Sequence, residues 1–439
     1  MAKRDFSRYR RLAKEGTWII IGQIATVLGA LVLVRVLTEH LVPVQYGQLA
    51  LGLTVAGLVN QVVMGGVGNG IGRFYAIAAE KQDLGGYLRA SRQLMFYATL
   101  AVLAIGLALM SGLLILGYSQ WMGLAAAALL LSVLSGYNGS LSILQNAARQ
   151  RAVVAFHSGL DAWLKILLAL GVLFWLGSSS TAVVIGYALS ALLVTGSQFI
   201  FLRRLILPRS KPNGDSRQWI LQMWAYSWPF STWGIFTWVH QSSDRWALET
   251  FSTTHDVGLY VVLLQLGYTP IVMATGLATS FLGPILYQRS GDAKDHARNA
   301  RVHWLAWRIT FFCMALTLIA FMLALGLHDW IFRLLVASDY RGISYLLPWM
   351  VLAGGIFASG QMLALKMMSE LRSTSIIGVK IGTAILGVLF NIYGVLVGGV
   401  TGIIVAVLAF SVIYFLSMLL LSFQLFPVTP VTRETLFPR

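Results

Sequence analysis

Asp161 and Lys165 stand four residues apart in an otherwise apolar stretch, with the acid nearer the N-terminus. That order favours a helical ion pair. An ionisable pair in such a setting could hold a phosphate through Lys165 or carry a coupling proton on Asp161; a self-neutralising pair is the plainer reading. Arg35 and Arg245 lie at the ends of apolar runs, with Glu39 and Asp244 close by. Together they could form a basic mouth with salt-bridging gates. The alternative is that Arg35 snorkels to an interface and Arg245 is a solvated loop charge. Trp219, Trp224, Trp228, Trp233, Trp238 and Trp246 crowd into one stretch. Trp228 and Trp233 fall too far inside it to belong to an interfacial aromatic belt. Flanked by Ser227, Ser231, Thr232 and Thr237, they could stack on sugar faces while the hydroxyls bond to sugar. Packing around a kink at Pro229 would use the same residues. Gln23, Asn60, Gln61, Gln265 and Tyr268 extend this polar set. Arg73 follows the glycine run Gly65-Gly66-Val67-Gly68-Asn69-Gly70-Ile71-Gly72 and could touch a phosphate if the run ends a helix with exposed amides.

The residues of bond-making chemistry are missing. No G-x-x-x-x-G-K-[ST] run occurs, so no ATP site is indicated, and the glycine run follows an apolar segment instead of a strand, which makes it a poor dinucleotide fingerprint. The seven histidines are scattered and none is in an H-E-x-x-H motif, so no metal site is indicated. Cys313 stands alone and can form no intrachain disulfide. No enzyme activity and no cofactor are expected, and a proton or sodium gradient is the candidate driving force.

These residues must be positioned by membrane helices. Of the 439 residues, 57% are hydrophobic and 11% charged, whereas soluble domains have about half and about a quarter. Spans of about 20 apolar residues are expected at 16–37, 46–70, 93–116, 121–144, 153–176, 181–202, 219–241, 257–286, 302–326, 342–366, 374–397 and 399–423. The fold expected is all-α and polytopic, twelve transmembrane helices in two six-helix bundles related by a pseudo-twofold axis. The domains read as an amphipathic N-terminal segment 1–15, a first bundle 16–202, a linker 203–218, a second bundle 219–423 and a tail 424–439. The first apolar run is too long for a signal peptide and lacks a cleavage site, so it should stay attached. All of the 32 Lys and Arg residues except Arg35, Arg245, Arg333, Arg341 and Lys165 fall in or beside alternate loops, beginning with the N-terminus. The positive-inside rule makes that side cytoplasmic and puts both termini there. Arg308 and Lys380, near that side, are expected to snorkel. The net charge of +16 is therefore topological, and nucleic acid is not an expected partner.

The halves repeat. Arg35-Val-Leu37, Glu39 and then Tyr46-Gly47 in the first correspond to Arg245-Trp-Ala-Leu248-Glu249 and Val257-Gly258-Leu-Tyr260 in the second. Six spans per half leaves the halves in one orientation, with substrate expected between them. These stretches, with Gly68…Arg73-Phe74 and Asp244-Arg245, resemble the polysaccharide-export and O-antigen (Wzx-type) flippases of the multidrug/oligosaccharidyl-lipid/polysaccharide superfamily. The resemblance implies a pair of bundles opening a cavity to each side in turn. It also implies an undecaprenyl-diphosphate-linked oligosaccharide as substrate, in a bacterial cytoplasmic membrane, with membrane lipids, a glycan polymerase and chain-length machinery as partners. Lipid II flippases of the superfamily carry several arginines deep along their first spans; here no Lys or Arg occurs from Ile19 to Val34 or from Gly47 to Gly72.

Three rivals stay open. A multidrug or small-cation antiporter of the same superfamily needs a deep acid in the first bundle, where only Asp161 is available. A major-facilitator transporter should show G-x-x-x-D-[RK] after span 2, which is absent. A membrane glycosyltransferase needs a large outer loop, and none exceeds the stretches 241–256 and 327–341.

Overall fold

Long apolar runs separated by short polar breaks fold as helices, because in hydrocarbon every backbone amide must be satisfied within its own segment. The structure is a computed structural model that describes residues 2–205, 216–290, 296–369 and 373–424. The expected linker, the loop 291–295 and the tail lie largely outside them. Among the described residues the helices are α1 (Ala2–His40), α2 (Pro43–Val59), α3 (Gly65–Glu80), α4 (Leu84–Ile115), α5 (Met122–Ala147), α6 (Arg151–Leu176) and α7 (Ser180–Leu205). They continue with α8 (Ser216–Phe251), α9 (Thr254–Leu263), α10 (Thr269–Ser290), α11 (His296–Leu335), α12 (Leu347–Ser369) and α13 (Ser373–Gln424). The chain is an all-α multi-pass membrane protein.

Ten described segments are long and apolar enough to cross a membrane. Two differences separate ten from twelve, and both have a physical cause. The segment Gly378–Phe423 is counted once, yet α13 is broken at Gly398 (φ −149°, ψ 18°) and Gly399 (φ 53°, ψ −128°). Gly399 takes a positive φ that side chains resist, so the chain reverses there between two crossings. Gly394 and Gly402, on either side of the reversal, meet backbone to backbone. The other difference is α8, a 36-residue helix that its tryptophans and hydroxyls make too polar for the same criterion.

The N-terminal segment is helical and continuous with the first span: α1 runs unbroken from Ala2 to His40. The glycine run does not end a helix. It lies inside α3, so its amides serve the helix ladder and are not free for a phosphate, which corrects that reading. Pro229 does not break α8.

Two π turns interrupt otherwise regular spans, Asn60–Met64 between α2 and α3 and Leu264–Tyr268 between α9 and α10. Each is in the second span of its half. The later one has a local cause: Pro270 would drive its ring into the carbonyl of Leu266 in a regular helix, and the wider turn relieves that clash. Both pack on the fourth span of their own half. Met64 enters the space at Gly136 of α5, and Met350 of α12 enters the space at Gly267.

Contacts divide the chain into two units, Met1–Ser242 and Ser243–Arg439. In the first, α1 packs on α6 and α5 on α7, with Gly22 against Ala155 and Gly29 against Ala162. In the second, α12 packs on α11 and α13, and its contact with α13 is built from Leu363, Met367, Phe410, Tyr414 and Met418. Leu37 and Tyr46 are 2% exposed, and Leu248 and Val257, at the corresponding places before the matching glycine, are completely buried.

Candidate functional site

The first 27 residues of α8, Ser216 to Ser242, belong to the first unit. Met223, Ser227, Ser231, Gly234 and Trp238 recur at helical spacing, and this face packs on α2 and α3. Gly70 lies against Met223 and Ser227, Gly66 against Ser231, and Gly234 against the backbone of Gln61. Small residues four apart on both helices let the backbones approach, the arrangement that packs membrane helices without a hydrophobic drive. Polar ties close both ends of this seam. The Trp238 indole N–H donates to the Thr54 carbonyl at 2.7 Å. The Trp219 indole N–H donates to the Asp83 carboxylate, also at 2.7 Å. Asp83 caps α4 through the Gly86 amide, and the Lys81 ammonium stands 5.5 Å from the centre of the Trp219 ring. One span thus clamps a loop, a helix start and a glycine stripe.

The seam orients the candidate aromatics. Trp228 is 54% exposed and Trp233 43%, so neither is spent on packing within the chain. At about 100° per residue they project about 140° apart, on opposite flanks of the packed face. They do not make one continuous stacking surface. Gln61, half-buried in the first π turn, meets α8 at Gly234, next to Trp233. Asn60 shares that turn, and Gln265 and Tyr268 lie in the other. Four of the five polar candidates therefore occupy the two π turns, local distortions often found at functional sites. Gln23 is half-buried on α1, and Arg73 is exposed on α3.

The ionisable candidates pair locally. Arg35 bonds Glu39 one turn on. Lys165 donates to Asp161 at 2.6 Å, and the Ser190 hydroxyl of α7 donates to the other carboxylate oxygen at 3.2 Å. The ammonium also lies 6.0 Å from the Tyr187 ring. This is the self-neutralising arrangement, reinforced from a neighbouring helix. In the second unit the buried Tyr260 hydroxyl donates to Asp244 at 2.6 Å, while the Arg245 backbone N–H donates to the other Asp244 oxygen at 2.8 Å. The Arg245 guanidinium is 3.6 Å from it. Nearby, Asn391 donates to Ser243 at 2.9 Å.

Sequence reasoning missed two features. Gly66/Gly70 and Ser227/Ser231 carry the four-residue spacing of a close helix pair, a signal present in the sequence. Lys366 is completely buried and donates to Ser422 at 3.1 Å; counting it among loop charges concealed it. Among the described residues no group of three or more His, Cys, Asp or Glu could hold a metal.

The fold of this long helical membrane chain has known counterparts. A lipid II flippase, MurJ, in an inward closed conformation matches with a TM-score of 0.68 at 10% identity, over 93% of this chain and 87% of that one. An inward-facing multidrug resistance MATE family transporter of the MOP superfamily matches at 0.61 and 14%, over 91% and 94%. A Vibrio cholerae MATE transporter matches at 0.56 and 14%, over 94% and 95%. At such identities the likeness is one of fold. No curated protein sequence matches the chain. The family model described as polysaccharide biosynthesis protein matches residues 12–290, well over half of the chain, which takes in the first unit from residue 12 onward, the α8 seam and both π turns, and so the chain belongs to the polysaccharide biosynthesis protein family.

Proposed function

We propose that the chain is a flippase. It moves an undecaprenyl-diphosphate-linked oligosaccharide, the repeat unit of an O-antigen, capsule or exopolysaccharide, across a bacterial cytoplasmic membrane by alternating access. Both termini are in the cytoplasm. The observation that carries this reading is α8. It continues as a helix through a span's length, and beside exposed aliphatics such as Ile235 and Val239 it bears exposed tryptophans, Thr232 and Gln241, which a helix facing lipid alone does not need. Such a surface suits a wet passage, where rings stack on sugar and hydroxyls replace water. A charged headgroup crossing bare hydrocarbon would cost several kcal/mol, so the passage must be polar, while the prenyl tail stays in the bilayer. Family membership supports a glycan cargo, and the fold is one a lipid II flippase uses.

The test is complementation of a flippase-null strain. Trp228→Ala, Trp233→Ala and Arg35→Ala should each lower surface glycan at normal protein level; full complementation by all three removes the site assignment. In proteoliposomes, transport indifferent to pH and sodium gradients would end a coupling role for Asp161.

The fold shared with MATE transporters keeps a multidrug or small-cation antiporter as the second reading. It needs a carboxylate free to exchange a cation, and Asp161 is already held by Lys165 and Ser190. Drug efflux by the purified protein, with no glycan-lipid transport, would favour it.

A further inference from the structure

The described part of α11 begins with an exposed stripe of unusual character. Arg301, Trp304, Arg308 and Phe311 fall at helical spacing on one side, all of them exposed. Trp304, Trp307, Arg308 and Phe311 line a groove of about 300 Å³. Its walls are fixed. The Arg308 guanidinium lies 4.2 Å from the centre of the Trp304 ring. The Trp307 ring packs 5.3 Å from Phe423 of α13, and its indole N–H donates to the His303 ring at 3.0 Å. Arg301 is one helical repeat from Arg308 and adds positive charge to the same face, and the buried Lys366 bonds the residue before Phe423.

Arg308 is the residue to be explained. It lies within the candidate span Arg301–Leu335, at the edge of that span's most apolar part, about 10 Å of helix beyond Arg301. Among the described residues no carboxylate pairs with it. A cation at the edge of an apolar span attracts an anionic headgroup, and the contact with the Trp304 ring keeps the guanidinium beside the groove. An arginine fork is shaped to take two oxygens of one phosphate, and an aromatic trough running deeper to Phe311 suits acyl carbons. Basic pockets between membrane helices commonly take anionic lipid headgroups. We propose that this groove binds an anionic membrane phospholipid, with its phosphodiester on Arg308 and the start of one acyl chain along Trp304, Trp307 and Phe311. The proposal does not depend on what the protein transports.

Native mass spectrometry of the detergent-purified full chain, offered equimolar phosphatidylglycerol and phosphatidylcholine, tests it. The wild type should retain phosphatidylglycerol about fivefold over phosphatidylcholine, the factor expected of one basic side chain near lipid anions. Arg308→Gln should abolish that preference, Arg308→Lys should keep part of it, and Arg92→Gln on α4, an exposed arginine outside the groove, should leave it unchanged. If Arg308→Gln does not fold, a photoactivatable phosphatidylglycerol should label the peptide 302–308 of the wild-type protein. Equal retention of the two lipids, equal loss in Arg92→Gln, or labelling elsewhere overturns the proposal. So does displacement of the bound lipid by equimolar undecaprenyl diphosphate, which would make the groove a substrate site.

Discussion

Side chains that looked separately reactive in the sequence turn out to be held by neighbours, and this decides what mutating them does. Asp161 serves Lys165 and Ser190 together. Removing one charge leaves the other stranded among apolar helices, which costs 3–5 kcal/mol for a fully buried pair and about 1–3 kcal/mol here, because both side chains keep some exposure. Asp161→Asn should therefore lower thermal stability more than the double change Asp161→Asn, Lys165→Met, read by melting in detergent. Equal losses would show that the pair is energetically idle. Trp228 and Trp233 make the opposite case, since both are exposed and their truncation should spare stability. Taking a ring contact with sugar as equal to an aromatic–aromatic pair, about 0.5–1.5 kcal/mol, each alanine variant should slow transport by roughly two- to tenfold. Their positions on opposite flanks predict that the effects add in the double variant. A strong departure from additivity would mean that they grip one sugar together.

At the scale of the helix, close approach replaces hydrophobic force, because lipid is as apolar as any side chain. The seam between α8 and α3 depends on the absence of Cβ atoms at Gly66 and Gly70. Overfilling such contacts costs about 1–3 kcal/mol. Gly66→Leu should lower the melting temperature and the transport rate together, and Gly57→Leu, where a side chain would meet open space, should change neither. Transport lost at full stability in Gly66→Leu would show that the seam acts by moving and not only by packing. The π turns belong to this scale too. They are set by Pro270 in one span and accompanied by no proline in the other, and a period read from apolar residues gives no warning of a single extra residue in a turn.

For the whole chain, the basic loops and an even number of crossings make a statement about sidedness. Reporters attached before Ala2 and after Gln424 should both report the cytoplasmic side, and one inserted at Gly342, where added atoms meet open space, the opposite side. Reporters on opposite sides at the two ends would require an odd crossing number and would undo the assignment of α8 or of the break at Gly399.

Much of this architecture was legible beforehand, since hydrocarbon imposes a length and a composition on every crossing and leaves little freedom. The expected boundary at 398 coincides with the reversal at Gly398 and Gly399, and the stretches Arg35 to Gly47 and Arg245 to Gly258 each span a helix junction. The amino-acid order by itself determined the membrane class and the helical spans, because these depend on what each segment does in lipid. Which side chains meet was decided only in three dimensions. The glycine run became a seam because Ser227 and Ser231, some 160 residues later, present equally small atoms to it; Arg35 closed on Glu39, and Lys366 disappeared among helices. Such outcomes depend on the rotation and depth of helices remote in the chain, quantities that apolar periodicity leaves undetermined.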